Sequence, residues 1–310
     1  MGSLGNRLAE AGRRDEALPV TEEAVEIQRR QVGSNLALHE RDLATYLSNL
    51  GALMSMAGRL DEALPVTEEA VEIWRRLAVG NPAAYEPDLA TSLSNLGNRL
   101  AEAGRPDEAV TVAEEAVEIQ RRLAVGNPAA YEPDLAGYLS NLGNRLAEAE
   151  RRDEAVTVAE EAVEIQPRLA VGNPAAYEPD LATSLSILGP ILAWAGRFDE
   201  GSTTIGEAVE IWRRLAAANP ATHEPNLAKA LTLRAILLAS SGDLSGALQD
   251  TEEAEAICRN HIVTTPSVIA PLHAALAVQA ELLDNLGRQR EAQDVRRWLA
   301  ANPVQRGHDE

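Results

Sequence analysis

A chain of 310 residues with a formal charge of −20, 3% aromatic residues and one cysteine, Cys258, is short of what several functions need. Nucleic acid and anionic membranes call for a basic footprint and would repel this surface, and a lone cysteine builds neither a disulfide framework nor a paired-cysteine zinc site. The abundant Ala, Leu and Glu lose little side-chain freedom in a helix, so an all-α chain is expected.

The first residues, Met1–Arg14, have neither the basic start nor the apolar core of a signal peptide. No stretch approaches the roughly 20 apolar residues of a membrane span. A soluble, cytoplasmic protein follows as the expectation, with neither nucleic acid nor membrane as partner.

Self-similarity then sets the architecture. Leu-Gly recurs at Leu4-Gly5, Leu50-Gly51, Leu96-Gly97, Leu142-Gly143 and Leu188-Gly189, each 46 residues after the last. The same step carries Asp15-Glu16-Ala17 onto Asp61, Asp107 and Asp153 with their neighbours, and Asn81–Tyr85 onto Asn127–Tyr131 and Asn173–Tyr177. A sixth unit around Gly242-Asp243 and a seventh around Gly287-Arg288 are more diverged.

The first unit begins at Met1, midway into its first helix, which leaves Leu4 and Leu8 short of cover. Because solenoid ends need polar caps, this end reads either as the edge of a longer protein or as a surface that packs on another copy. In the third unit a helix is predicted over Asp88–Ala103, with Leu89, Leu93, Leu96 and Leu100 on one stripe and Gly104 closing it. A second is predicted over Asp107–Val125, with Asp107 as N-cap and Ala109, Val112, Ala116, Val117, Ile119 and Leu123 buried. A loop is predicted over Gly126–Pro133. Gly97, Ala109 and Ala116 stand where the helices must come close. On the outer face Glu72, Glu118 and Glu210 can pair with Arg76, Arg122 and Arg214 at i,i+4. Pro190, inside the fifth unit's first helix, removes a bond to Ser186 and predicts a kink.

Leu93, Leu96-Gly97, Leu100, Gly104, Ala109 and Ala116 match in order and spacing the signature of the tetratricopeptide repeat. The chain resembles that family, and its long unit with Pro-Asp-Leu-Ala…Asn-Leu-Gly resembles the kinesin light chain branch. The resemblance implies a right-handed α-α superhelical solenoid of about seven helix-turn-helix repeats. These would form one array over residues 1–303, followed by a polar tail, 304–310. It also implies a concave groove, lined by the first helices, that holds a peptide or protein segment.

Placed on this sequence, that face carries Asn49, Asn95 and Asn141 as a ladder, together with Asn98, Asn144, Glu102 and Glu148. An amide that both donates and accepts suits an extended backbone; equally, these side chains can be solvated or bonded to the next repeat. Glu102 and Glu148 suggest a preference for basic segments. Further on the face turns apolar, with Ile187, Pro190, Trp194, Leu233 and Ile236 either an anchor pocket or buried between tightly curled repeats. Lys229, the only lysine, lacks the basic neighbours of a carboxylate clamp.

His39, Tyr85, Tyr131, Tyr177 and His223 share one repeat position and read as packing pegs. His261, His273 and His308 share no ligand spacing, and neither a Walker loop nor His-Glu-x-x-His is present. The sequence therefore predicts no catalytic residue, no metal site and no cofactor. It predicts a binding scaffold, with a self-associating module or the sensing arm of a longer signalling protein as alternatives.

Overall fold

The computed structural model describes residues 8, 14–32, 36–170, 174–262 and 268–303. Among them are thirteen helices and no strand: α1 (Arg14–Val32), α2 (Leu36–Met56), α3 (Leu60–Gly80), α4 (Pro82–Glu102), α5 (Pro106–Gly126), α6 (Pro128–Glu148), α7 (Arg152–Ala170), α8 (Pro174–Trp194), α9 (Phe198–Ala218), α10 (Pro220–Ser241), α11 (Leu244–His261), α12 (Ile269–Asn285) and α13 (Gln289–Ala301). They form two compact units, residues 1–150 and 151–305. Within each unit consecutive helices pack on one another. Both the first-helix part of the first repeat, residues 1–13 apart from Leu8, and the tail 304–310 lie outside the described residues.

The 46-residue period resolves into two 21-residue helices, a one-residue corner and a three-residue turn. The loop expected over Gly126–Pro133 is helix instead. Asn127, at φ −149° and ψ 82°, is the whole corner. Its N–H closes α5 on the Leu123 carbonyl at 3.0 Å, while its own carbonyl accepts from Ala130 and Tyr131 at 3.2 Å to start α6. Pro128 at the first helical position lacks only an N–H that has no partner there. Pro133 follows within two turns, where the helix loses a single bond. Asp107 is likewise not the cap of α5. That helix starts at Pro106 behind Arg105, and no side chain caps it. Asp107 and Glu108 sit in its first turn, facing the positive end of the dipole. α8 continues through Pro190 to Trp194 without a break.

Leu89, Leu93, Leu96 and Leu100 are buried as one stripe, each worth about 1.5–3 kcal/mol. On α5, Val112 and Leu123 are only half-buried, and Val110 and Gln120 take core positions instead. The peg reading holds where rings meet: Tyr85 lies 6.1 Å from Trp74 and His223 lies 5.9 Å from Trp212, centroid to centroid.

Ion pairs run in register with the repeat. Arg59 reaches back to Glu22 and grips Glu62, and Arg197 does the same with Glu160 and Glu200. Of the i,i+4 pairs expected on the outer face, Arg122–Glu118 forms at 3.5 Å. Arg76 and Arg214 turn instead to Glu40 and Glu178 on the preceding helix, and Arg122 also takes Glu86 there. Those carboxylates are better shielded from water, where a charge pair is stronger.

Each turn between the two helices of a described pair carries a residue at positive φ. Gly58, Gly104, Gly196, Gly242 and Gly287 hold it at φ of 71–92°. Glu150 occupies the same position at φ 60°, a conformation strained by its Cβ. Glu150→Gly should therefore stabilise the chain by about 1 kcal/mol, read as a higher urea midpoint.

Candidate functional site

In the unit built of α1–α6, the first helices α2, α4 and α6 touch through a line of small polar groups. Ser48 and Ser92 hydroxyls are 2.9 Å apart, Thr91 and Tyr138 hydroxyls 3.1 Å, and Asn141 Nδ2 donates to Ser94 Oγ at 3.3 Å. Of the sequence-predicted ladder, Asn141 joins this line. Asn49, Asn95, Asn98 and Asn144 are half-buried and Asn141 is exposed. Asn141 spends its amide on the neighbouring repeat. Asn95, Asn98 and Asn144 find no hydrogen-bond partner among the described residues.

Asn98, Ala101, Glu102 and Glu148 line a cleft of about 320 Å³ between α4 and α6 with two residues that sequence reasoning missed, Arg99 and Arg145. Their side chains are 13% and 16% exposed. Arg99 holds Glu102 at 2.6 Å, where Ser55 also donates at 3.0 Å, and Arg145 holds Glu148 at 2.7 Å. The two glutamates that suggested an acidic face are each neutralised. Arg145 Nε is buried without a partner. Beside it lies a void of about 10 Å³, room for one water, between Tyr138, Asn141 and Ser94.

In the unit that follows, Ile187 and Pro190 are half-buried on α8 and Ile236 on α10 is 46% exposed. Leu233 packs against the core. Trp194 is also half-buried, with the Arg152 guanidinium 4.4 Å from its ring centroid, a cation–π contact. Lys229 is exposed. Cys258 is fully buried, and burial pushes its thiol up to about 11, so it is a core residue with little thiolate. Among the described residues no three His, Cys, Asp or Glu side chains converge on a possible metal position, and no helix is long and apolar enough to cross a membrane.

Tetratricopeptide-repeat family models match residues 42–122, and separately 1–35 and 135–169. Those stretches are tetratricopeptide repeats. Solved structures of the same fold include BtubC (BKLC) from P. vanneervenii. It is 22% identical, with 79% of this chain and 95% of that one covered and a TM-score of 0.59. The nearly identical TPR-like repeats of a Podosopora anserina putative kinesin light chain are 22% identical, cover 68% and 93%, and give 0.51. A Rap protein complexed with Competence and Sporulation Factor is 15% identical, covers 96% and 72%, and gives 0.60. No curated protein matches the chain.

Against the tetratricopeptide pattern, the sixth unit departs at one buried contact. Leu96 and Val112 of the third unit become Arg234 and Asp250 three repeats on. The guanidinium meets the carboxylate through two bonds of 2.7 and 2.6 Å, with Asp250 4% exposed. The hydrogen bond to Asp250, then the charges of Glu253 and Glu210, raise the pKa of Arg234. The signal was available as a Leu-to-Arg and a Val-to-Asp change in the same two repeat columns. Asp250→Ala removes the bonded carboxylate from a half-buried cation and should destabilise by about 1.5–3 kcal/mol in urea unfolding, whereas Arg234→Leu with Asp250→Val should match or exceed the parent.

Proposed function

We propose that this protein is a binding scaffold whose first-helix face, on α2, α4 and α6, holds an extended segment of a partner protein. The observation that carries the reading is the set of uncommitted amides on α4 and α6, Asn95, Asn98 and Asn144, of which Asn98 lines the 320 Å³ cleft. Their hydroxyl neighbours are satisfied inside the chain, and these amides are not. Each half-buried amide left without a partner forgoes about 1 kcal/mol that a peptide backbone would supply. Asn49 extends the row on α2.

Recognition here rests on backbone amides rather than net charge, because Arg99 and Arg145 balance Glu102 and Glu148 locally. The corresponding face in the following unit, with Ile187 and Trp194 on α8 and Ile236 and Lys229 on α10, would seat an apolar side chain of a partner. That a Rap protein of the same fold is complexed with Competence and Sporulation Factor supports the idea that such helical repeats hold ligands.

A random peptide library panned against the whole chain tests this. Selected peptides should share a motif and lose affinity about thirtyfold on Asn98→Ala/Asn144→Ala, as two hydrogen bonds of about 1 kcal/mol each imply. Peptides that bind this variant as well as the parent would place recognition elsewhere.

A further inference from the structure

A second cleft, of about 290 Å³, opens on the opposite side of α4, between the second helices α3 and α5. Its floor and walls are aliphatic, with Leu96, Leu100 and Val71 each no more than 6% exposed, and Val112 half-buried beside them. Its rim is charged: Glu68, Glu72 and Glu108 face Arg75 and Arg105. Both arginines are committed. Arg75 holds Glu115 on α5 at 2.5 Å, and Arg105 holds Glu108 at 2.6 Å through two nitrogens and reaches Glu68 at 3.5 Å. Glu72 forms no hydrogen bond among the described residues; its charge is felt by Arg75.

An apolar guest would bury Glu72 without a partner, and an anion would meet three carboxylates over hydrocarbon. A cation on an aliphatic stem satisfies both, its stem on the leucines and its head at the carboxylate.

The protein carries its own example of that occupant. Three repeats on, Leu96 corresponds to Arg234, Val112 to Asp250, Glu72 to Glu210 and Glu115 to Glu253. There the chain's own guanidinium fills the position, bonded to Asp250 with Glu210 and Glu253 nearby. In the third repeat Leu96 and Val112 replace the guanidinium and the carboxylate it bonds, while Glu72, the counterpart of Glu210, remains at the rim of an open cleft.

We propose that the α3/α5 cleft binds an arginine side chain from a basic segment of a partner protein, its stem over Leu96 and Leu100 and its guanidinium on Glu72. The site is separate from the first-helix face. The net charge of −20 steers such a segment towards the chain.

The test is fluorescence anisotropy of a short fluorescein-labelled peptide carrying two arginines among glycine and serine, titrated with the full chain. A twin peptide with neutral citrulline serves as control. The arginine peptide should bind saturably and the citrulline peptide should not. Glu72→Gln should weaken binding about tenfold, the loss of one charge-assisted bond. Glu207→Gln, the same charge change at an exposed site on α9, should alter it by less than about twofold. Asn98→Ala/Asn144→Ala should leave it unchanged, so a failure of the first-helix reading stays distinguishable. Absence of binding, equal binding of the citrulline peptide, or equal loss in the two glutamine variants would each overturn the proposal, the last by reducing it to diffuse charge attraction.

Discussion

Where α8 crosses α9, a Cβ on Gly201 would lie 2.5 Å from the Gly189 carbonyl oxygen and 3.0 Å from the Ala193 nitrogen. No side chain fits between the two backbones. The same crossing recurs at α4 and α5, where a Cβ on Gly97 would sit 3.4 Å from a methyl of Val112 and 3.5 Å from the Ala109 carbonyl. This close approach lets the flanking leucines of one helix reach the alanines and valines of the next. It also fixes the spacing of successive first helices, so that Ser48 meets Ser92 and Asn141 meets Ser94. Both clefts follow from it, since each is the space left between like helices of neighbouring repeats.

Apolar burial and ion pairing contribute unequally to that arrangement. A buried leucine is worth about 1.5–3 kcal/mol, and an exposed ion pair such as Arg105–Glu108, screened by water, far less. The arginine ladders therefore align repeats that the leucine stripes already hold. Their larger consequence is local. Carboxylates such as Glu102, Glu108 and Glu115, which look uncommitted in the sequence, are held by arginines, whereas Glu72 is not.

The period, the helix pairs and the leucine stripe were legible because a repeat prints its own register, and Leu93 or Leu96 recurs at every turn of it. The corner at Asn127 was not. A Pro-rich run reads as a loop unless one counts which N–H groups a helix start can spare. Arg99 and Arg145 escaped because each adjoins the leucine stripe, and position alone does not show that a long side chain bends back into the cleft. The Asn ladder was legible as a spacing, but which amides are free depends on hydroxyl partners such as Ser94 that spacing cannot assign. Glu150 and the Arg234–Asp250 pair are departures from a repeat column, visible once the repeats are aligned and explicable only with φ and burial known.

The fold turns on the backbone contact between the helices of a pair, and Gly201→Ala measures it most directly. In urea unfolding of the full chain, the added methyl should lower stability by about 1–3 kcal/mol, as overpacking does. Gly97→Ala, facing a movable valine methyl at 3.4 Å, should lower it by clearly less. A Gly201→Ala chain that unfolds at the parent's urea midpoint would contradict the claim that this crossing sets the fold and the two faces built on it.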